Sequence, residues 1–421
     1  MANNFNKEEI VAWEQICEAF EDSEVMARNV SKYTINGADA ARTNDTIWRP
    51  MPYIATSYDG MDQTSNFKDK TQLSVPSTIG FKKSSPFLLD ASELRDALQQ
   101  QRLGEAARQK LASDINTAVA RTAAMQGTVV VTRTGAASSY DDISLADAAL
   151  TEQGINSEDR KFILSARDYN GLAGDLAKST RSFTGNKSND AYTRSFVGEV
   201  AGFDTFKADY VPRLAAATAT GVTIGAANQY YVPKATSTAV TSGETANVDN
   251  RYQTITVANT TGALKAGDCF TIAGVESVHH INKEATGQLK TFRVIAVNSA
   301  TSIVISPPII SAQGASEAEK QYQNVSATPV NGAVVNILNI KTAYANPFWH
   351  KNAIELIPAV AAVPRDAGAA VMTYTTSSGV EIVFQKQYDI NTMKTKFRLD
   401  TWFGVVMTNP EMCGIELFNQ T

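Results

Sequence analysis

One helical pattern, from Asp90 to about Met125, constrains this chain more than any other feature. Leu94, Leu98, Leu103, Ala107, Leu111, Ile115, Ala118 and Val119 recur at near-helical spacing; Asp90 and Glu93 form a capping-box-like start, and Gly127 supplies the stop. About 35 residues rising 1.5 Å each make a rod of ~50 Å. A rod of that length is a spine along which other elements are arranged. Gly104 inside it costs roughly 1 kcal/mol relative to Ala, which predicts a bend or a close approach at that point. With 421 residues the chain also exceeds what a single core supports, so several domains are expected.

Before the spine lie two unusual segments. Lys7 to Val30 reads as an amphipathic helix, with Ile10, Val11, Trp13, Ile16, Cys17, Phe20, Val25 and Met26 set among Glu8, Glu9, Glu14, Glu18 and Glu21. It is an N-terminal arm whose apolar residues, Trp13, Ile16 and Phe20 foremost, either dock on their own domain or clasp a neighbour. Between Thr46 and Phe87 two extended arms, Ile47 to Tyr53 and Gln72 to Pro76, flank a polar tip from Tyr58 to Lys70. Prolines in both arms exclude a central strand position. A loop this long is unusual unless it is functional or disordered, the ordinary alternative being a surface flap with no partner; Asp59, Asp62, Lys68, Asp69 and Lys70 are its solvated candidate contact groups.

After the spine, Val129 to Thr132 predicts a strand, and Ser144 to Gln153, Ala166 to Lys178 and Asp190 to Phe196 predict short helices, an α+β segment. From Val211 to Val248 the only charges are Arg213, Lys234 and Glu244. Short β-rich runs follow at Val222 to Ile224, Tyr230 to Val232, Thr254 to Val257, Cys269 to Ile272, Thr291 to Val297 and Ser302 to Ile305, spaced as in a small barrel or sandwich. Flanked by a different pattern on both sides, this stretch reads as an insertion with two long polar loops, Thr236 to Asn250 and Glu276 to Lys290. Asn352 to Ala359, Val380 to Tyr388 and Lys396 to Thr408 then predict a terminal β-sheet.

Composition narrows the function. Lys plus Arg total 38 against 43 Asp plus Glu, a net charge of −5 without the one-sided excess of a dedicated nucleic-acid binder. Cys17, Cys269 and Cys413 are too scattered for a disulfide framework or a C-x-x-C site, which points to a reducing compartment. Met1 to Phe20 does not read as a signal peptide, and no apolar run reaches membrane-spanning length. Catalytic patterns are absent: His279, His280 and His350 are the only histidines, and Gly262 to Gly267 runs into Asp268-Cys269 as a turn, not a phosphate cradle. An arm, a flap, a spine and an inserted β-module all reach beyond a compact core, and such reach suits a subunit whose neighbours cover it.

Several segments together resemble the major coat protein of short-tailed enteric bacteriophages. They are Thr46-Ile47-Trp48, the spine with Leu94-Arg95-Asp96 and Ala106 to Ala112, Val200-Ala201-Gly202-Phe203-Asp204, Asn247 to Arg251, Val335 to Asn339 with Phe348-Trp349, and Trp402-Phe403-Gly404-Val405 followed by Asn409-Pro410-Glu411. The resemblance implies the α+β Johnson (HK97-like) capsid fold. It divides the chain into an N-arm (1–36), a P-domain part (37–127) with the E-loop (45–84) and spine helix (90–125), an A-domain (128–217), an inserted β-barrel (218–339) and a return through A- and P-domains (340–421). Within the barrel, 236–250 matches the family's D-loop, which reaches toward a neighbouring capsomer with Glu244, Asp249 and Arg251 as its charged groups, and 276–290 matches the S-loop.

The implied function is self-assembly into hexamers and pentamers that close an icosahedral shell around packaged double-stranded DNA. The implied partners are the chain itself, a scaffolding protein and a portal protein. Expansion of the shell follows, assembly takes place in the host cytoplasm, and the final location is the virion. No catalysis, cofactor, metal or membrane contact is implied. The alternative is a β-module that binds a ligand or decorates a virion.

Overall fold

The computed structural model describes the chain except residues 1–6, 24, 34–45, 53, 56, 58, 65, 91–92, 94–96, 180–196, 259–260, 315 and 362–367; of 8, 18, 21–23, 97–100, 176, 178 and 179 it describes the backbone alone. The expected helix at Asp190 to Phe196 lies outside the described residues. Two compact units emerge: Met1–Ile47, Ser77–Val119 and Ile354–Val406 form one, and Trp48–Pro76, Ala120–Ala353 and Met407–Thr421 form the other.

The spine helix begins later than its pattern predicts, running over Ala97–Gln126. Asp90 instead ends a ten-residue strand, Phe81–Asp90, whose register runs antiparallel to Lys394–Met407 from Phe81 opposite Phe403 to Asp90 opposite Lys394. Sheet pairing wins over helix propensity there because Phe81 and Phe87 stack on Phe403 and Phe397 at 5.1 Å. The predicted Asp90–Glu93 pair still forms, the Asp90 N–H donating to Glu93 Oε2 at 3.0 Å. Pro86 is tolerated because its strand lies off the main path of the sheet.

The smaller unit is built on that sheet, ordered Ser31–Lys32, Ile354–Ala359, Lys394–Met407, Glu381–Asp389 and Ala370–Thr375. The N-terminal helix Lys7–Ser23 packs inside this unit. Trp13 stacks on Phe384 at 4.9 Å, Glu9 pairs with Lys386 at 2.6 Å, and Ile16 and Phe20 are buried. Gly104 explains itself here: a Cβ at that position would lie 2.6 Å from Ile16 Cδ1, so the glycine permits close approach of the two helices.

The larger unit contains two six-stranded sheets. The mixed one is ordered Val129–Thr132, Cys413–Leu417, Asn346–His350, Arg160–Ser165, Phe203–Ala208 and Glu199–Val200, with helices Tyr140–Glu152 and Ala166–Ser179 against it. Phe162, Phe203 and Phe348 form its aromatic centre, and Trp349 is fully buried. Trp48 and Trp402 are only half-buried.

The second sheet is antiparallel: Thr223–Ile224, Gln253–Ala258, Ser302–Ser306, Ala285–Ser299, Cys269–Val278 and Val335–Ile337. Its two ends meet, since the Ile224 N–H donates to Ala333 O at 2.9 Å and the Val335 N–H to Val222 O at 2.9 Å. That closure wraps the sheet around Ile255, Val257, Phe270, Phe292, Val294 and Ile305, a core of its own. The Tyr230 to Val232 run, apolar enough to suggest a strand, is irregular instead.

Candidate functional site

The candidate assembly site is a set of loops and the groups that anchor them. Thr46–Pro50 pairs with Ser74–Thr78 as a two-stranded ribbon, and the Met51 N–H donates to Leu73 O at 2.8 Å. Beyond it Met61 and Phe67 stand fully open, at 105% and 86% exposure. Among the charged tip residues, Asp62 is used locally: its carboxylate accepts from the Thr64 N–H and hydroxyl, which hold it below the usual carboxylate range. Lys68 reaches Glu317 of its own chain at 2.7 Å, while Asp59, Asp69 and Lys70 are exposed.

The 236–250 loop is a hairpin, Thr236–Thr238 pairing with Thr245–Asn247. Gly243 turns it at φ +72, where a side chain would be strained. All six strand residues are exposed, as is Glu244, and Val240 at the tip is 103% exposed.

Its base is the opposite. Asn250, buried, donates to Lys234 O at 2.8 Å and Val248 O at 3.0 Å and accepts from the Lys234 N–H at 2.9 Å. Arg251 is committed within its own chain, its Nε and Nη2 gripping Asp249 at 2.9 and 2.6 Å while Nη1 donates to Met407 O at 2.7 Å. Burial alone would depress this guanidinium, but the two-pronged Asp249 contact holds it above its ordinary value. Of the three charges read from the sequence, only Glu244 is presented outward.

The 276–290 loop is the outer end of the Cys269–Val278/Ala285–Ser299 hairpin and is clamped to the body of the larger unit. Lys290, 2% exposed, places Nζ 2.5 Å from Glu411 Oε1, which also accepts from Asn324 Nδ2 at 3.2 Å. Burial by itself raises Glu411, yet Lys290 prevails and its carboxyl lies below the usual range. His280 sits 3.8 Å from Glu411 Oε2 and is pushed down to about 4 by desolvation, with the attraction of Glu411 too weak to restore it. The backbone N–H of His280 donates to Gln153 O at 3.0 Å, and His279 packs so closely on Gly154 that a Cβ there would meet its ring at 2.6 Å. Arg160 stiffens that receiving loop, donating to Asn156 O at 2.9 Å and Ile155 O at 2.7 Å and pairing with Asp147.

Lys290, Glu411, Asn324 and Asn250 anchor these loops, a role that sequence reasoning did not give them. One signal was available: alternation along Lys290-Thr291-Phe292-Arg293-Val294 puts Lys290 on the face of Phe292 and Val294, which are buried. The N-arm residues Trp13, Ile16 and Phe20 are placed in the core of the smaller unit. Among the described residues no group of His, Cys, Asp and Glu is arranged to hold a metal, and no helix is long and apolar enough to cross a membrane.

The sequence model of the family described as "P22 coat protein - gene protein 5" matches residues 1–419. Among solved structures, the chain is similar to "Capsid structure of the Cyanophage P-SCSP1u" at 10% identity, TM-score 0.42, covering 93% of this chain and 86% of that one. It is similar to "Asymmetric unit of bacteriophage PhiM1 mature capsid" at 8% identity, TM-score 0.42, with the same two coverages. "CUS-3 coat protein I-domain" matches at 41% identity and TM-score 0.22, covering 28% of this chain and 95% of that one.

A family match over nearly the whole length defines a tailed-phage capsid protein with the α+β capsid fold. The chain belongs to the P22 coat protein family. It is a major capsid protein, a component of the virion that forms the shell.

Proposed function

We propose that this subunit assembles into hexamers and pentamers, guided by a scaffolding protein and a portal, into an icosahedral procapsid that expands as double-stranded DNA is packaged. Assembly takes place in the host cytoplasm, DNA contact is non-specific, and no catalysis is involved. In this reading residues 218–339 are an inserted module, the paired arms 45–84 are the E-loop, and 236–250 reaches a neighbouring capsomer through its tip. The observation that carries the reading is the bare apolar tips, Met61, Phe67 and Val240, the last on a hairpin anchored at its base by Asn250 and Arg251. Exposed bulky side chains on held loops are suited to insertion into another copy. Charge plays the smaller part, because Asp249 and Arg251 are already joined.

Electron microscopy and sedimentation of the full chain, alone and with a scaffolding protein, test this. Closed shells, tubes or capsomer sheets are expected. A single small oligomer under both conditions would overturn it.

A further inference from the structure

A cleft of about 240 Å³ opens in the larger unit. Its apolar lining comes from Met51 and Leu73 of the paired arms, Ile310 and Tyr322 of the barrel segment, and Ile155 and Met412 of two turns. A cavity of ~150 Å³ with apolar walls accommodates benzene, so the room here suffices for a single substituted ring.

The polar groups at its edge are nearly all in use. Arg251 is held by Asp249 and Met407 O, Asn250 by the hairpin base, and Asn324 by Pro308 O, the Ile310 N–H and Glu411 Oε1. His280 differs: its Nε2 is buried and has no hydrogen-bond partner among the described residues. The nearest acceptor, Glu411 Oε2, is 3.8 Å away, too far for a direct bond. One oxygen placed between them lies at ~2.8 Å from each, donating to the carboxylate and accepting from the imidazole N–H.

We propose that the cleft is a binding site for a small aromatic alcohol, a phenol-sized molecule whose one hydroxyl bridges His280 Nε2 and Glu411 Oε2 while its ring lies among Met51, Leu73, Ile310 and Tyr322. An anionic ligand is disfavoured because it faces the Glu411 carboxylate, and a cationic one because Lys290 already occupies Oε1. An occupant braces the paired arms against the 276–290 hairpin. This goes beyond shell formation and stands or falls independently of it.

The test uses the full chain with p-cresol and with toluene, which lacks the hydroxyl, read by ligand-observed NMR titration and thermal shift. Saturable p-cresol binding at least tenfold tighter than toluene is expected, together with a rise in the unfolding temperature. Ile54→Trp, on a half-buried position lining the same cleft, is expected to abolish binding while preserving the fold; His280→Gln is expected to reduce the preference for p-cresol over toluene. The proposal is overturned by absence of saturable binding to folded protein, by equal binding of toluene and p-cresol, or by undiminished binding in folded Ile54→Trp. Density for a bridging water alone, with p-cresol present, overturns it too.

Discussion

The hairpins 236–247 and 276–290 belong to one unit, are both polar in sequence, and meet opposite ends. The first is exposed along both strands and is gripped only at its base, by Asn250 and the Asp249–Arg251 pair. The second carries its charge inward, so that Lys290, His280 and Glu411 form a buried junction with Asn324. The difference shows that polarity alone does not tell a reaching loop from a docked one. What decides is where the partner charge lies: two residues away for Arg251, and in a distant turn of the chain for Lys290.

The buried junction gives the largest expected effect. Lys290→Met strands the Glu411 carboxylate in an apolar setting, and breaking one side of such a pair costs ~3–5 kcal/mol. The double variant Lys290→Met with Glu411→Leu is expected to recover most of that loss, because it removes the second charge as well. Urea unfolding of the three proteins measures both numbers. If Lys290→Met costs under ~1 kcal/mol, the 276–290 hairpin is not anchored by this pair and the contrast with 236–247 fails.

A pH titration probes the same junction more gently. The folded pKa of His280, about 4, lies below its ordinary 6.5, so the folded state binds fewer protons than the unfolded chain in that window. The stability contributed by neutral His280 is therefore present above pH 6.5 and is lost as pH falls toward 4, on the order of 3 kcal/mol at most. Glu411 faces the imidazole with its carboxyl held below its usual value by Lys290; Lys290, Lys283 and His279 oppose protonation of the ring. Urea midpoints at pH 7, 5.5 and 4.5 are expected to fall in wild type and to fall less steeply in His280→Gln. Parallel slopes would show that the ring is hydrated and the junction open.

Much of the fold is legible in the sequence because its signals are periodic. The strand at 253–258 alternates plainly, those near 269–278 and 302–306 show as short apolar runs, and Gly104 marks the close approach that Ile16 makes. The start of the spine misleads because Asp90 has two good local choices, a cap and a strand end, and only the distant Lys394–Met407 strand settles between them. Even spacing suits a barrel and a sandwich alike, and the strands that close the sheet, Thr223–Ile224 and Val335–Ile337, are too short to carry a pattern of their own. The site is less legible than the fold. Arg251 looks like a surface charge in a polar loop, and its burial follows from Met407, which no local rule connects to it.

The exposed hairpin supplies the smallest stability effect and the sharpest functional one. Val240 touches solvent almost entirely, so Val240→Ser is expected to leave the unfolding midpoint of the subunit unchanged within ~0.5 kcal/mol. In a shell, however, the same methyl groups lie at the tip of the loop read as reaching another capsomer, and each is repeated in every subunit. A loss of even ~1 kcal/mol per contact is multiplied across the lattice. Val240→Ser is therefore expected to assemble at a higher threshold concentration than wild type, measured by sedimentation and electron microscopy on the same preparations used for unfolding. A destabilised subunit would mean that the tip packs on its own chain, making the two hairpins alike. An unchanged subunit that also assembles at the wild-type threshold would remove Val240 from the interface and leave Glu244, the one outward charge of the loop, as the group to vary next.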